Sequence, residues 1–268
     1  MATDISPRYL AEAKARLKWT PLSLQIKLAP WIKRWRLLLL NLGSKKVHAS
    51  GASPEITTRF DDAGAHFKEH RWAFVESIIS PAFYEEFLKH WPKKRYLEPP
   101  REVEKSYNTG FRWIIGDTPT FAYSDPYQQY PGIQKLLGVL RSEEMAQRVT
   151  RFSGSKEPLM LYSFILTDAG AGAEVVPHKD SIKDDPTARY VLNCIFFIDA
   201  SGGKNSGALT LSRDNELRDI MFEPPVMKNS CLIYDILGEF YHGFSPIARG
   251  KWRWVVTAQY CQKSYVAH

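Results

Sequence analysis

From Leu159 onward the sequence is a succession of short β-branched and aromatic runs, PLMLYSFILT, ARYVLNCIFFID, GALTLS, PPVMKNSCLIYDI and GKWRWVVTAQYC, separated by Gly, Asn, Asp and Pro. Runs of this length and chemistry suit pleated strands joined by turns, and they lack the sustained 3.6-residue period of an amphipathic helix. Strands in series must bury their apolar faces against one another. The carboxy-terminal half is therefore expected to form a β-sandwich or barrel.

The first half reads differently. WAFVESIIS suggests a strand, PAFYEEFLKHWP a helix starting at Pro81, and GIQKLLGVLRSEEMAQRVTRF one helix over residues 132–152. Residues 92–131 are rich in Pro, Tyr and Asp with weak periodicity, and residues 48–64, HASGASPEITTRFDDAG, read as a linker. The expected class is α+β, with one domain over residues 65–268, supporting helices at its amino-terminal side, and a separate segment over residues 1–47. With 44% hydrophobic residues in 268, the chain has material for one substantial core.

Charge sets the amino-terminal segment apart. Residues 1–50 carry ten Lys/Arg against two acids, leaving 26 against 27 for the rest, so the net charge of +7 belongs to this segment. A basic groove across the main domain is excluded, and with it the usual footprint of a nucleic-acid binder. In residues 20–46, Thr20 can cap a helix, Pro21 suits its first turn, Pro30 should kink it and Gly43 can stop it. Leu28, Trp31, Trp35, Leu39 and Leu42 share one helical face, with Lys33 and Arg36 across from them, although Leu37 and Leu40 interrupt the polar side. Such a helix can lie on an anionic membrane surface or dock on its own domain or a second subunit. No apolar run reaches the ~18 residues of a membrane span. A secretory signal pattern is also missing, and Cys194, Cys231 and Cys261 have no framework spacing. The expected location is cytoplasmic, with peripheral attachment to the cytoplasmic face of the inner membrane if the helix binds lipid.

VVPHKDS places His178 and Asp180 at i and i+2, on one face of a strand, where they can grip one ion. Alone this pair means little, because seven histidines and 13 aspartates give about 0.3 such spacings by chance. The order of the segments beyond Asp180 adds weight. An apolar strand, a glycine-marked turn into SGALTLS, then PPVMKNSCLIYD, and finally YHGFSPIARGKWRWVVTAQY bring a second histidine, His242, and a strand carrying Arg253.

This arrangement, from about Leu159 to Tyr260, resembles the iron(II)- and 2-oxoglutarate-dependent oxygenases, in particular the prolyl-hydroxylase branch. The resemblance implies a double-stranded β-helix, or jelly roll, with iron(II) held by His178, Asp180 and His242 and three coordination positions left for 2-oxoglutarate and O2. It implies further that a cation takes the far carboxylate of the co-substrate, a role a planar guanidinium suits. That family usually sets its basic residue ten positions after the second histidine, and here Trp252 stands there. Arg253 is the assigned anchor, with Lys251 and Arg249 as neighbours that could serve instead. Tyr162 and Asn193, on flanking strands, are candidate contacts to 2-oxoglutarate, set against a purely structural role in the core.

The implied reaction is insertion of one oxygen atom into a C–H bond, releasing succinate and CO2. Zinc hydrolysis and a non-catalytic jelly-roll binding module stand as alternatives. The basic Trp-rich segment points to a glycolipid substrate, and the hydroxylases of the Kdo sugar of lipid A resemble this architecture. Lys179, Lys183 and Arg189 are candidates to meet sugar carboxylates and phosphates, or else form a solvated face. A soluble amino acid or secondary metabolite is the alternative small-molecule substrate.

Overall fold

A computed structural model describes residues 51–89, 131–180, 190–202, 206–236 and 238–262, with Ala11, Trp91 and the backbone of residues 96–98, 108–109 and 112–115. The amphipathic segment over residues 20–46, and Lys183 and Arg189, lie outside the described residues.

The chain begins with two short helices, α1 (Arg59–Asp62) and α2 (Gly64–His70), strand β1 (Trp72–Glu76) and helix α3 (Pro81–Lys89). Three short strands follow, β2 (Tyr96–Glu98), β3 (Asn108–Thr109) and β4 (Arg112–Ile115), then helices α4 (Pro131–Leu140) and α5 (Glu143–Ser153). The remainder is strand: β5 (Leu159–Ala169), β6 (Glu174–His178), β7 (Tyr190–Ala200), β8 (Thr210–Ser212), β9 (Ile220–Phe222), β10 (Ser230–Tyr234), β11 (Tyr241–Phe244) and β12 (Arg253–Gln262).

These strands form two antiparallel sheets, a major one in the order β1-β10-β7-β12-β5-β4-β2 and a minor one in the order β3-β6-β11-β8-β9. From β5 the chain crosses between them repeatedly, with β5, β7, β10 and β12 in the major sheet and β6, β8, β9 and β11 in the minor. That alternation makes a double-stranded β-helix, the jelly roll that the family resemblance implied.

The major sheet is buried on both faces, which explains why its strands read as nearly continuous apolar runs. In β7, Cys194, Phe196 and Ile198 pack with the helices, while Ile195 and Phe197 face the minor sheet. Strand β10 divides the same way, with Cys231 and Ile233 toward the helices and Leu232 and Tyr234 inward. Each fully buried aromatic of this kind contributes roughly 1.5–3 kcal/mol, so a one-residue slip of β7 would be costly on both faces. Tyr84 of α3 donates its hydroxyl to the Ile198 carbonyl at 2.6 Å, where the β7–β12 register shifts. Tyr260 of β12 likewise donates to the Leu140 carbonyl at 2.7 Å, at the end of α4.

Two expectations are corrected. The segment over residues 132–152 is two helices, because Ser142 caps a new one by accepting the Met145 N–H at 3.1 Å. The linker over residues 48–64 ends early: Ile56 pairs with Ile79, and Phe60, fully buried, stacks on Phe152. Arg148 secures this segment by donating to the Ile56 and Thr57 carbonyls and to Asp61. The packed unit thus starts before residue 65. Among the described residues no helix is long and apolar enough to cross a membrane.

Candidate metal centre

Strand β6 contains Pro177, which lacks an N–H to give to a ladder. Here the pairing with β11 shifts: Val175 lies opposite Phe244 and His178 opposite His242, so one strand spans an extra residue. Gly243 makes the shift sterically tolerable. A Cβ at that position would sit 2.6 Å from the Val175 carbonyl oxygen and 3.0 Å from Pro177 Cα. The result sets His178 and His242 directly across from each other at one end of the minor sheet.

Their imidazole centroids are 4.2 Å apart, inclined at 56°. Asp180 reaches between them, with Oδ1 3.5 Å from His178 Nε2 and Oδ2 3.5 Å from His242 Nε2. One ligand atom from each residue can be chosen so that all lie within 4.8 Å of one another. Ligands bound at ~2.1 Å on adjacent octahedral positions are about 3 Å apart, so only a small contraction closes these three on one ion. Both histidines are buried, while the Asp180 side chain is 25% exposed and marks the open side.

Protonation favours metal binding. His178 Nδ1 lies 2.8 Å from the Val176 carbonyl and donates to it, leaving the Nε2 lone pair toward the site. Burial pulls His242 down to about 4, against the Asp180 carboxylate that raises it, so it stays neutral near pH 7. For Asp180 burial acts upward, but the His242 and His178 imidazoles and a hydrogen bond from Tyr234 outweigh it and hold the carboxyl at about 2. Two imidazole nitrogens and one carboxylate suit a divalent first-row metal.

Arg253 opens β12 and is buried. Its guanidinium carbon lies 4.5 Å from the ring centroid of Phe244, on the minor sheet, and 5.4 Å from that of Phe197, on the major one. The cation is thus between the sheets. Its neighbours face out: Trp252 is 40% exposed and donates its indole N–H to Asp199, and Lys251 and Arg249 are exposed. Asn193 is buried opposite Tyr234 across the β7–β10 ladder and donates its amide N–H to the Tyr234 hydroxyl at 2.7 Å. Tyr162 is the extra residue of a bulge in β5, since Leu161 pairs with Tyr260 and Ser163 with Gln259. It is half-buried.

No protein-family model matches the sequence, and no curated protein matches it by sequence. Solved structures do match. A prolyl 4-hydroxylase from Phytophthora capsici superposes with a TM-score of 0.54 at 12% identity, over 83% of this chain and 71% of that one. A Pseudomonas putida prolyl-4-hydroxylase gives 0.51 at 16% identity, over 76% and 99% of the two chains. An oxidoreductase of the 2OG-Fe(II) oxygenase family from Burkholderia pseudomallei gives 0.52 at 10% identity, over 80% and 93%. The fold is that of the 2-oxoglutarate and iron(II) oxygenases. At these identities the likeness speaks for architecture, and the chemistry must come from the residues themselves.

In this oxygenase fold the structure brings His178, Asp180 and His242 to one point and sets Arg253 inside the barrel. The Asn193 amide N–H goes to the Tyr234 hydroxyl. Sequence reasoning passed over Tyr234, whose ring centroid is 5.0 Å from that of His242. Alternation along SCLIYD could have found it, because it puts Leu232 and Tyr234 on the face opposite Cys231 and Ile233.

Proposed function

We propose that the protein is an iron(II)- and 2-oxoglutarate-dependent hydroxylase. The observation that carries this is a two-histidine, one-carboxylate donor set, its histidines buried and its carboxylate toward the open side, in a jelly roll that also buries an arginine between its sheets. Structural metal sites are usually filled by four protein ligands, whereas three donors on one side leave room for co-substrate and oxygen. Zinc hydrolysis would not call for Arg253.

Iron(II) bound with 2-oxoglutarate and O2 would supply the oxidant that hydroxylates a C–H bond, with succinate and CO2 leaving. The chain's part is positional. His178 and His242 offer Nε2 donors, Asp180 offers an anionic oxygen, and Arg253 takes the remote carboxylate of the co-substrate in two parallel hydrogen bonds. Tyr162 and Asn193 are assigned supporting places near that co-substrate. Phe197 and Phe244 flank the guanidinium and keep its surroundings apolar, which strengthens its hold on a carboxylate.

For the substrate we propose a glycolipid presented at an anionic membrane surface, the Kdo sugar of lipid A being the first to test. Support comes from the concentration of basic charge in residues 1–50, and from Lys179, which sits next to the donor set with its ammonium 4.8 Å from the Tyr241 ring centroid. Succinate release with iron(II), 2-oxoglutarate and O2 should rise when this sugar acceptor is added. Mass spectrometry of lipid A from cells with and without the protein should show one added oxygen on the core sugar. Vesicle co-sedimentation that survives deletion of residues 1–46 would remove the membrane element, and turnover with soluble amino acids alone would redirect the substrate assignment.

A further inference from the structure

Helix α2 carries two histidines that the centre at His178, Asp180 and His242 does not use. His66 and His70 stand at i and i+4, so both side chains leave the same face of the helix, and both are exposed. Their imidazole centroids are 4.3 Å apart at 48°, close to the 4.2 Å and 56° of His178 and His242. In separation and tilt the surface pair matches the central one. Trp72 closes one side, its ring centroid 4.7 Å from that of His66, edge to face, and 6.5 Å from that of His70. It is backed in turn by Phe222, 4.5 Å away on the minor sheet, while Phe67 anchors the helix against Phe152. Among the described residues no hydrogen bond engages either imidazole, and the Glu69 carboxylate oxygen lies 3.7 Å from His70 Nε2. Burial, and then the His70 imidazole, hold His66 below its ordinary value against the pull of Glu69, so His66 is neutral at pH 7.5.

Two imidazoles one helical turn apart can chelate a metal ion, and this ligand type suits zinc(II), copper(II) and nickel(II). We propose that His66 and His70 form a second, peripheral site for such an ion, with water in the remaining positions and the Glu69 carboxylate adding negative charge beside it. The bound ion spans the turn that leads to Arg71, whose left-handed backbone at φ 63° ends the helix and whose guanidinium pairs with the buried Asp235 at the end of β10. It therefore stabilises α2 in its place against the major sheet. The site does not depend on the reaction proposed above.

The test is a calorimetric titration of metal-stripped, full-length protein with zinc(II) at pH 7.5, beside thermal melts with and without zinc. Wild type should show two binding events. His66→Gln and His70→Gln, at exposed positions, should each keep the central event and weaken the peripheral one by more than the roughly 10–100-fold cost of altering an outer partner. Asp180→Ala should do the reverse, and zinc should still raise its melting temperature. Lys68→His in the His70→Gln protein restores the histidine count but not the shared helix face, so binding should stay lost. Two events retained in both Gln variants, or recovery through Lys68→His, would overturn the proposal and leave the central centre standing. A single event in the wild type that survives both Gln variants would overturn it as well. A single event lost in them would uphold this site and remove the central assignment, and no zinc binding by the wild type would overturn both.

Discussion

His178 and His242 are Cα partners across the β6–β11 ladder, their imidazole centroids 4.2 Å apart, although distant in sequence. Side chains alternate across a strand, so a slip of one residue would turn either imidazole to the other face. The local irregularity at Pro177 and Gly243 decides this register, and with it whether a metal can be held.

Gly243→Ala is the direct test of that dependence. Its Cβ would meet the Val175 carbonyl oxygen at 2.6 Å, and rigid backbone cannot yield as a side-chain end could. Strand β11 should move away from β6. We expect metal affinity to fall by about 10-fold or more, by the usual sensitivity of ligand positioning, with a loss of stability of about 1–3 kcal/mol. Titration calorimetry and thermal melts on the same sample check both; an unchanged variant would show that the close approach is not needed.

Arg253 should separate co-substrate binding from folding. Arg253→Met keeps much of the apolar stem between Phe197 and Phe244 while removing the charge, and a thermal melt of the same variant reads any change in stability separately. The KM for 2-oxoglutarate should rise at least about 10-fold, as expected for loss of a charge-assisted bidentate pair. Arg253→Lys should recover little of it, because an ammonium lacks the planar fork. Lys251→Ala and Arg249→Ala, at exposed positions, should leave KM unchanged. A rise in KM confined to either of these would transfer the anchor role.

Acid should destabilise the metal-free protein in a defined window. Burial pulls His242 from its ordinary 6.5 down to about 4, so below pH 6.5 the unfolded chain binds more protons. Stability is then fully present above pH 6.5 and falls as the pH drops toward 4, by roughly 3 kcal/mol for a shift of this size. Asp180, at about 2 against an ordinary 3.8, adds a further loss in the same direction below pH 3.8. Denaturant melts from pH 7.5 to 4 should show the first decline, and His242→Gln should flatten it. A flat wild-type profile would contradict the assigned burial.

The three cysteines should be poor nucleophiles in the native state. Burial pushes Cys261 up to about 12 and raises Cys231 well above its ordinary value, helped by the hydrogen bond its thiol makes with Cys194 and by the neighbouring Cys194 charge. Thiol titration at pH 8 should detect neither Cys231 nor Cys261 until denaturant is added. Rapid labelling of Cys231 without denaturant would show that the helix-covered face of the major sheet opens readily.

The strands were the most legible part of the chain because burial on both faces of the major sheet made β5, β7, β10 and β12 nearly continuous apolar runs. The break at Ser142 was hidden because apolar spacing continues from Leu140 through Met145 to Val149, and only the cap interrupts it. Ile56 and Phe60 were hidden for the opposite reason, as isolated apolar residues among polar ones whose partners, Ile79 and Phe152, are remote in sequence. At the site, the i, i+2 spacing exposed His178 and Asp180 locally. His242 needed the order of strands as well, and the approach of the Tyr234 ring to His242 joins opposite sheets, a relation no local spacing encodes.

The most direct measurement is an anaerobic titration of metal-stripped protein with iron(II), followed by 2-oxoglutarate, in wild type and in His178→Ala, Asp180→Ala and His242→Ala. One equivalent of iron should bind the wild type, 2-oxoglutarate should then bring up a visible charge-transfer absorption, and each single variant should lose both. Stoichiometric iron binding that persists in these variants, or iron binding in the wild type without any response to 2-oxoglutarate, would contradict the account.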